Sequence, residues 1–151
     1  MKAKSIKGKS LAEISKAIIE SKTEAFNPTL AIVFLSMSQD RKAISKVLDE
    51  EGVSIFGVTT NGEFIDEVTE KGSVVIMLLD MNRDYFQIFL EEYPKKNYRE
   101  IARGIAQQAK TKFSNPAFLI AGSNMETDAE QLLFGFEDVI GKDNNATLYK
   151  N

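Results

Sequence analysis

Five consecutive residues, Thr59-Thr60-Asn61-Gly62-Glu63, set two hydroxyls, an amide, a glycine and a carboxylate directly behind a β-branched apolar run, Val53-Ser54-Ile55-Phe56-Gly57-Val58. Those groups can hold a small polar molecule. Thr59, Thr60 and Asn61 donate or accept hydrogen bonds, Gly62 lets the backbone come close, and the Glu63 carboxylate can pair with an ammonium by a charge-assisted bond. Ser54 to Val58 has strand composition, Gly57 leaves backbone room inside it, and Asn61-Gly62 supplies a turn able to take positive φ. Turn chemistry alone would equally well do no more than lead into the next strand. Two further hydroxyls stand at comparable places, Ser36 in Ser36-Met37-Ser38-Gln39-Asp40 and Ser123 in Gly122-Ser123-Asn124. Each lies between an apolar run and a helical pattern, where first-turn N–H groups could receive an anion. The plainer reading is that Ser38 or Asp40, and Thr127 or Asp128, cap the helices that follow. Gly8-Lys9-Ser10 is no phosphate-binding loop, for it lacks the earlier glycine and the preceding buried strand.

The composition excludes more chemistry than any motif suggests. The 151 residues include no cysteine and no histidine, which removes disulfides, thiolate nucleophiles, the usual general base and the commonest metal ligands. Ser-His-Asp and Cys-His mechanisms are therefore out of reach of this chain alone. Glu63, Asp66, Glu67 and Glu70 are close in sequence but lack the ligand spacing of a calcium loop, so they read as a solvated acidic stretch, and neither metal nor cofactor is expected. A net charge of −3 with no basic field gives nucleic acid nothing to hold. The longest apolar runs, Leu30 to Leu35 and Val74 to Leu79, are far short of the ~20 residues that span a bilayer. No signal-peptide segment follows Met1. The chain reads as cytoplasmic.

The elements that position these groups follow from hydrophobic spacing. After a short strand at Lys2 to Ile6, Leu11, Ile14, Ala17 and Ile18 recur at helical spacing behind Ser10, with Glu13 completing a capping box, and predict a helix to about Glu24. Asn27-Pro28 ends it. Leu30 to Leu35 follows as a strand whose continuous apolarity predicts cover on both faces. Asp40 caps a helix with Ile44, Val47 and Leu48 on one side, stopped at Gly52. Behind the motif strand, Phe64 to Lys71 reads as a loop, and Ser73 to Asp80 as a strand pairing antiparallel with the motif strand. Tyr85 to Tyr93 has the composition of an edge strand ended by Pro94, its aromatics serving packing. A helix from about Asn97 to Lys112, a strand at Ala117 to Ala121 and a helix from about Asp128 to Ile140, ended by Gly141, complete the reading. Phe134 and Phe136 belong to a core or an interface. The fold class is α/β: a mixed sheet with helices packed on it.

The chain also repeats itself. Glu13-Ile14, Ile18, Lys22-Thr23, Phe26 and Asn27-Pro28 correspond, with one residue inserted, to Glu100-Ile101, Ile105, Lys110-Thr111, Phe113 and Asn115-Pro116. In both places an apolar strand, a serine near its end, a helix and a glycine follow. The pattern predicts two related α-β-α halves. On this match Thr147-Leu148-Tyr149 stands for Ser54-Ile55-Phe56.

The apolar strand, then Gly57-Val58-Thr59-Thr60-Asn61-Gly62-Glu63, a short acidic connection and the second apolar strand Ser73 to Leu79 resemble the FIST N-terminal domain family. The resemblance runs from about Thr29 to Tyr149 and is sharpest at Gly57 to Glu63. It implies a single sensory, ligand-binding domain of a signal-transduction protein, over residues 1–151, with small molecules such as amino acids as ligands and a C-terminal domain or signalling partner as output. The family's downstream Gly-Gly-x-Ala-Gly-Asp type motif and its C-terminal domain are missing here, and the expectation is a chain cut before both. The ligand residues implied are Gly57, Thr59, Thr60, Asn61, Gly62 and Glu63, with Ser36 and Ser123 at neighbouring strand ends. The chain is expected not to be an enzyme. The alternatives are an enzyme with Glu63 as general acid or base on a small polar substrate, or a purely structural or interaction domain.

Overall fold

A computed structural model describes residues 1–65, 68–92, 96–122, 127–142 and 146–150. The chain divides into two compact units, Met1–Phe86 and Gln87–Asn151.

The first unit opens with β1 (Lys2–Gly8) and α1 (Leu11–Ser21). Ser10 caps α1, its Oγ accepting from Glu13 N at 3.3 Å. The reciprocal bond comes from Lys9 N, 2.8 Å from Glu13 Oε2, so the capping box is stretched by one residue. The helix stops at Ser21 rather than Glu24. Thr23 and Phe26 exchange backbone bonds of 3.1 and 3.0 Å, a tight turn that sends Phe26 into the core and uses up the donors a further helical turn would need.

Next come β2 (Leu30–Ser36), α2 (Arg41–Glu50) and β3 (Ser54–Thr60). Asp40 Oδ1 caps α2 by accepting from Lys42 N and Ala43 N at 3.0 and 3.1 Å, and Gly52, at φ 71°, turns the chain out of it. The unit closes with β4 (Glu63–Ile65), β5 (Val68–Glu70), β6 (Val74–Asp80) and a 3-10 turn at Arg83–Tyr85. Four strands form one mixed sheet in the order β1-β6-β2-β3. β2 and β3 are parallel, while β6 runs antiparallel to both β1 and β2.

One face of this sheet carries the core. Ala31, Val33, Leu35, Val74, Ile76 and Leu78 meet Ile14 and Ile18 of α1 and Ile44 and Leu48 of α2 in one cluster. Burying each valine, leucine or isoleucine among them stabilises the fold by about 1.5–3 kcal/mol. The opposite face is only partly covered, with Ile32 and Phe34 half-buried and Met77 exposed. The expected cover on both faces of Leu30 to Leu35 is realised only in part: Leu30, Val75 and Leu79 on this second face are buried, while both helices of the unit lie on the first.

Three other expectations are corrected. Phe64 to Lys71 is not a loop: β4 and β5 pair antiparallel as a hairpin, in keeping with the strand-forming residues Phe64, Ile65, Val68 and Thr69. The strand after it pairs with β1 and β2 and not with the motif strand, since β2 stands between them. Tyr85 to Glu92 forms no strand; Tyr85 is 72% and Leu90 93% exposed. Its composition suits a strand, but among the described residues no strand pairs with it, and extended backbone without a ladder is not a strand. Tyr93 and Pro94 lie outside the described residues.

The second unit holds α3 (Tyr98–Lys112), β7 (Phe118–Gly122), α4 (Ala129–Ile140) and β8 (Ala146–Lys150), with β7 and β8 parallel. Tyr98, Ala102 and Ala106 of α3 pack with Leu132, Phe136 and Ile140 of α4, over Phe118 and Ile120. The helices touch closely at Gly135, where a Cβ would lie 2.4 Å from Arg99 O and 2.6 Å from Ala102 Cβ. Arg99 grips the Asp138 carboxylate with two bonds of 2.8 and 2.7 Å. That carboxyl is held below its ordinary range, chiefly by the hydrogen bonds and then by the charge of Arg99.

Both units therefore run α-β-α-β with a parallel pair, as the sequence repeat predicts. The phase differs by a residue. Buried Ile14, Ile18 and Ser21 stand 88 positions before buried Ala102, Ala106 and Ala109, so the matched Ile101 and Ile105 sit beside the inward row. Likewise Ala146 lies opposite Phe118 as Ser54 lies opposite Leu30, one residue ahead of the Thr147 match. Helix-end residues carry the sequence match, and the inward rows set the phase.

Candidate functional site

The parallel register of β2 and β3 places Ser36 beside Thr60 at the two strand ends. Because side chains alternate across a sheet, Thr60 shares its face with Ser36, and Thr59, paired with Leu35, points to the helix-covered face. The two neighbouring threonines cannot grip one ligand with their side chains. Gly57, opposite Val33 on that same covered side, serves packing: a Cβ there would stand 3.0 Å from Val33 Cβ and 3.1 Å from Val33 O.

Behind Thr60 the chain turns through Asn61 and Gly62, both exposed. The expected turn is there, but neither residue takes the positive φ that both allow; Gly72, at φ 73°, does so nearby. The turn leads to β4 and not back along β3, so it has no need of the hairpin conformation that calls for such residues.

Glu63 then folds inward and is 1% exposed. Thr60 Oγ1 donates to its Oε1 at 2.5 Å, and Ser73 N and Ser73 Oγ donate to its Oε2 at 3.2 and 3.1 Å. A buried carboxylate is tolerable only when so satisfied. All three donors are neutral groups. Ser73 ties the group to β2, its carbonyl accepting from Ser36 N at 3.0 Å. Ser36 Oγ lies 3.1 Å from Ser38 Oγ. Gln39 clamps the rim, its Nε2 donating to Lys9 O and Gly72 O at 3.0 and 2.7 Å.

The structure thus brings together Ser36, Thr60 and Glu63 from the expected set and adds Ser38, Gln39 and Ser73. Thr59 and Gly57 belong to the other side of the sheet, Asn61 and Gly62 form the exposed lip, and Ser123 lies outside the described residues. The signal for Ser73 was its place before an apolar strand, but only the antiparallel pairing of β6 with β2 brings that strand's start to the end of β2. Among the described residues no cluster of three or more acidic side chains could hold a metal ion, and no helix is long and apolar enough to cross a membrane.

An α/β framework with a polar cluster at parallel strand ends, the usual place for a ligand in such sheets, defines the class. The FIST N domain family model matches residues 29–146, and the chain belongs to that family. FIST N domains are sensory domains of signalling proteins and are not known as enzymes. No curated protein and no solved structure matches the chain.

Proposed function

We propose that the chain recognises a small polar molecule, an amino acid by preference, at the lip formed by Ser36, Thr60, Asn61 and Gly62. The observation that carries this reading is the gathering of hydroxyls around the buried Glu63 carboxylate at the ends of β2 and β3. Glu63 fixes the loop through Thr60 and Ser73, and its charge, met by neutral donors, favours the ammonium end of a ligand. Gly62 needs no left-handed backbone, which leaves close approach of a ligand as a reason for glycine there. The domain works in the cytoplasm and passes the bound state to a C-terminal domain or signalling partner.

The test is thermal unfolding with each of the twenty amino acids in turn. A ligand at ~100 times its dissociation constant adds about 2.7 kcal/mol. One chemical group of amino acids should raise the midpoint, and Asn61→Ala should abolish the rise without altering the melt of the free protein. No rise with any of them refutes amino-acid recognition by this chain. The burial of Glu63 also favours a second reading, a general acid or base; that reading requires turnover that disappears in Glu63→Gln while the fold persists.

A further inference from the structure

The order β1-β6-β2-β3 leaves the sheet two edges, and they differ in kind. β1 carries Lys2, Lys4 and Lys7 along its length, the charges by which natural edge strands resist pairing. β3 has none. Its seven residues, Ser54 to Thr60, include neither a charge nor a proline, none is fully buried, and among the described residues no strand pairs with its outer side.

The bonds of the β2–β3 ladder show which backbone groups that outer side offers. Ser54 N donates to Thr29 O at 2.9 Å, and in a parallel ladder alternate residues bond the same neighbour. Ser54, Phe56, Val58 and Thr60 are therefore turned to β2. Ile55, Gly57 and Thr59 present their N–H and C=O groups outward, and these three are spaced symmetrically about Gly57.

We propose that two copies of this chain associate by pairing their β3 edges antiparallel about Gly57. Gly57 then faces Gly57 of the second copy, and Ile55 faces Thr59, each pair exchanging both backbone bonds as hydrogen-bonded antiparallel pairs do. The side chains agree with this register on both faces. Phe56 meets Val58, an aromatic and β-branched pair of the favourable kind, and Ser54 meets Thr60. No charges oppose each other in this register. The exposed Gly57 lets the two backbones approach at the twofold axis. The pairing also brings the partner's Arg83 near the Thr60 loop, since Arg83 Nη1 donates to Ser54 Oγ at 3.1 Å.

The test is light scattering on the whole chain over a range of concentrations, with circular dichroism to verify folding. The wild type should pass from monomer to dimer as concentration rises. Thr59→Pro removes an outward N–H and leaves the bonds to β2, and should weaken the dimer about tenfold or more. Phe56→Lys should weaken it too, and adding Val58→Glu, which sets an opposite charge directly across, should restore it; this pair decides the matter if Thr59→Pro fails to fold. A wild type that stays monomeric at millimolar concentration overturns the proposal and leaves the edge to a strand of another protein. So does a dimer that the folded variants leave unchanged.

Discussion

Glu63 shows how much one side chain can organise. Its two oxygens hold the end of β3 through Thr60 and the start of β6 through Ser73. Glu63→Ala leaves Ser73 N–H buried without a partner and should cost about 1–3 kcal/mol or more, measured as a lower urea midpoint. Glu63→Gln should cost less. Its amide oxygen can still accept from Ser73, and the Thr60 hydroxyl can rotate to accept from the amide nitrogen. The reverse order of the two variants would contradict the hydrogen-bond scheme. The types of these residues were legible in the sequence, and simple alternation separates Thr59 from Thr60. Ser73 was not legible as a site residue, since its place depends on strand pairing between segments far apart in the chain.

At the scale of elements, α3 and α4 meet through Gly135. Gly135→Ala gains helix propensity of about 1 kcal/mol, but its methyl group would overlap Arg99 O and Ala102, and overpacking costs about 1–3 kcal/mol. A net loss of stability is expected, with faster amide hydrogen exchange confined to the second unit. The Arg99–Asp138 pair links the same helices. Asp138 is depressed from its ordinary value of 3.8, so its contribution is present above that pH and lost as pH falls through the depressed value. In Asp138→Asn the dependence of stability on pH in that acid range should flatten, while stability near neutrality falls slightly, as for a half-exposed pair. Helices were readable to within a few residues because spacing and caps are local properties. The segment Tyr85 to Glu92 misled because a strand is made by its neighbour as much as by its own composition.

At the scale of the molecule, the boundary between the two units falls beside exposed residues, Tyr85 and Leu90 among them. Chymotrypsin should cut first between Tyr85, which ends the 3-10 turn, and Leu90, in the stretch without regular structure behind it, both strongly exposed, and give two fragments. Initial cleavage inside α1 or α3 would contradict the described division. The internal repeat foretold the shared α-β-α-β order of the units. It could not foretell β1 and β6, which have no counterpart in the match and complete the sheet of the first unit.

The family match begins at residue 29, yet Ile14 and Ile18, both at 0% exposure, fill the core from before it. A chain begun at Thr29 would therefore expose that core. Synthesis meets the same constraint in time. β1 leaves the ribosome before the other three strands of its sheet and pairs with β6, from Gly8↔Val74 to Lys2↔Asp80. The strand that joins β1 to β2 is also the last of the four to be made. Until it emerges, the earlier pieces can pair only as β2 with β3, and the sheet has a gap at its centre. Such long-range closure is slow, and a nascent chain in that state offers β2 and β3 to any passing strand. Chaperone binding to stalled chains should accordingly drop once residues 74–80 have cleared the exit tunnel.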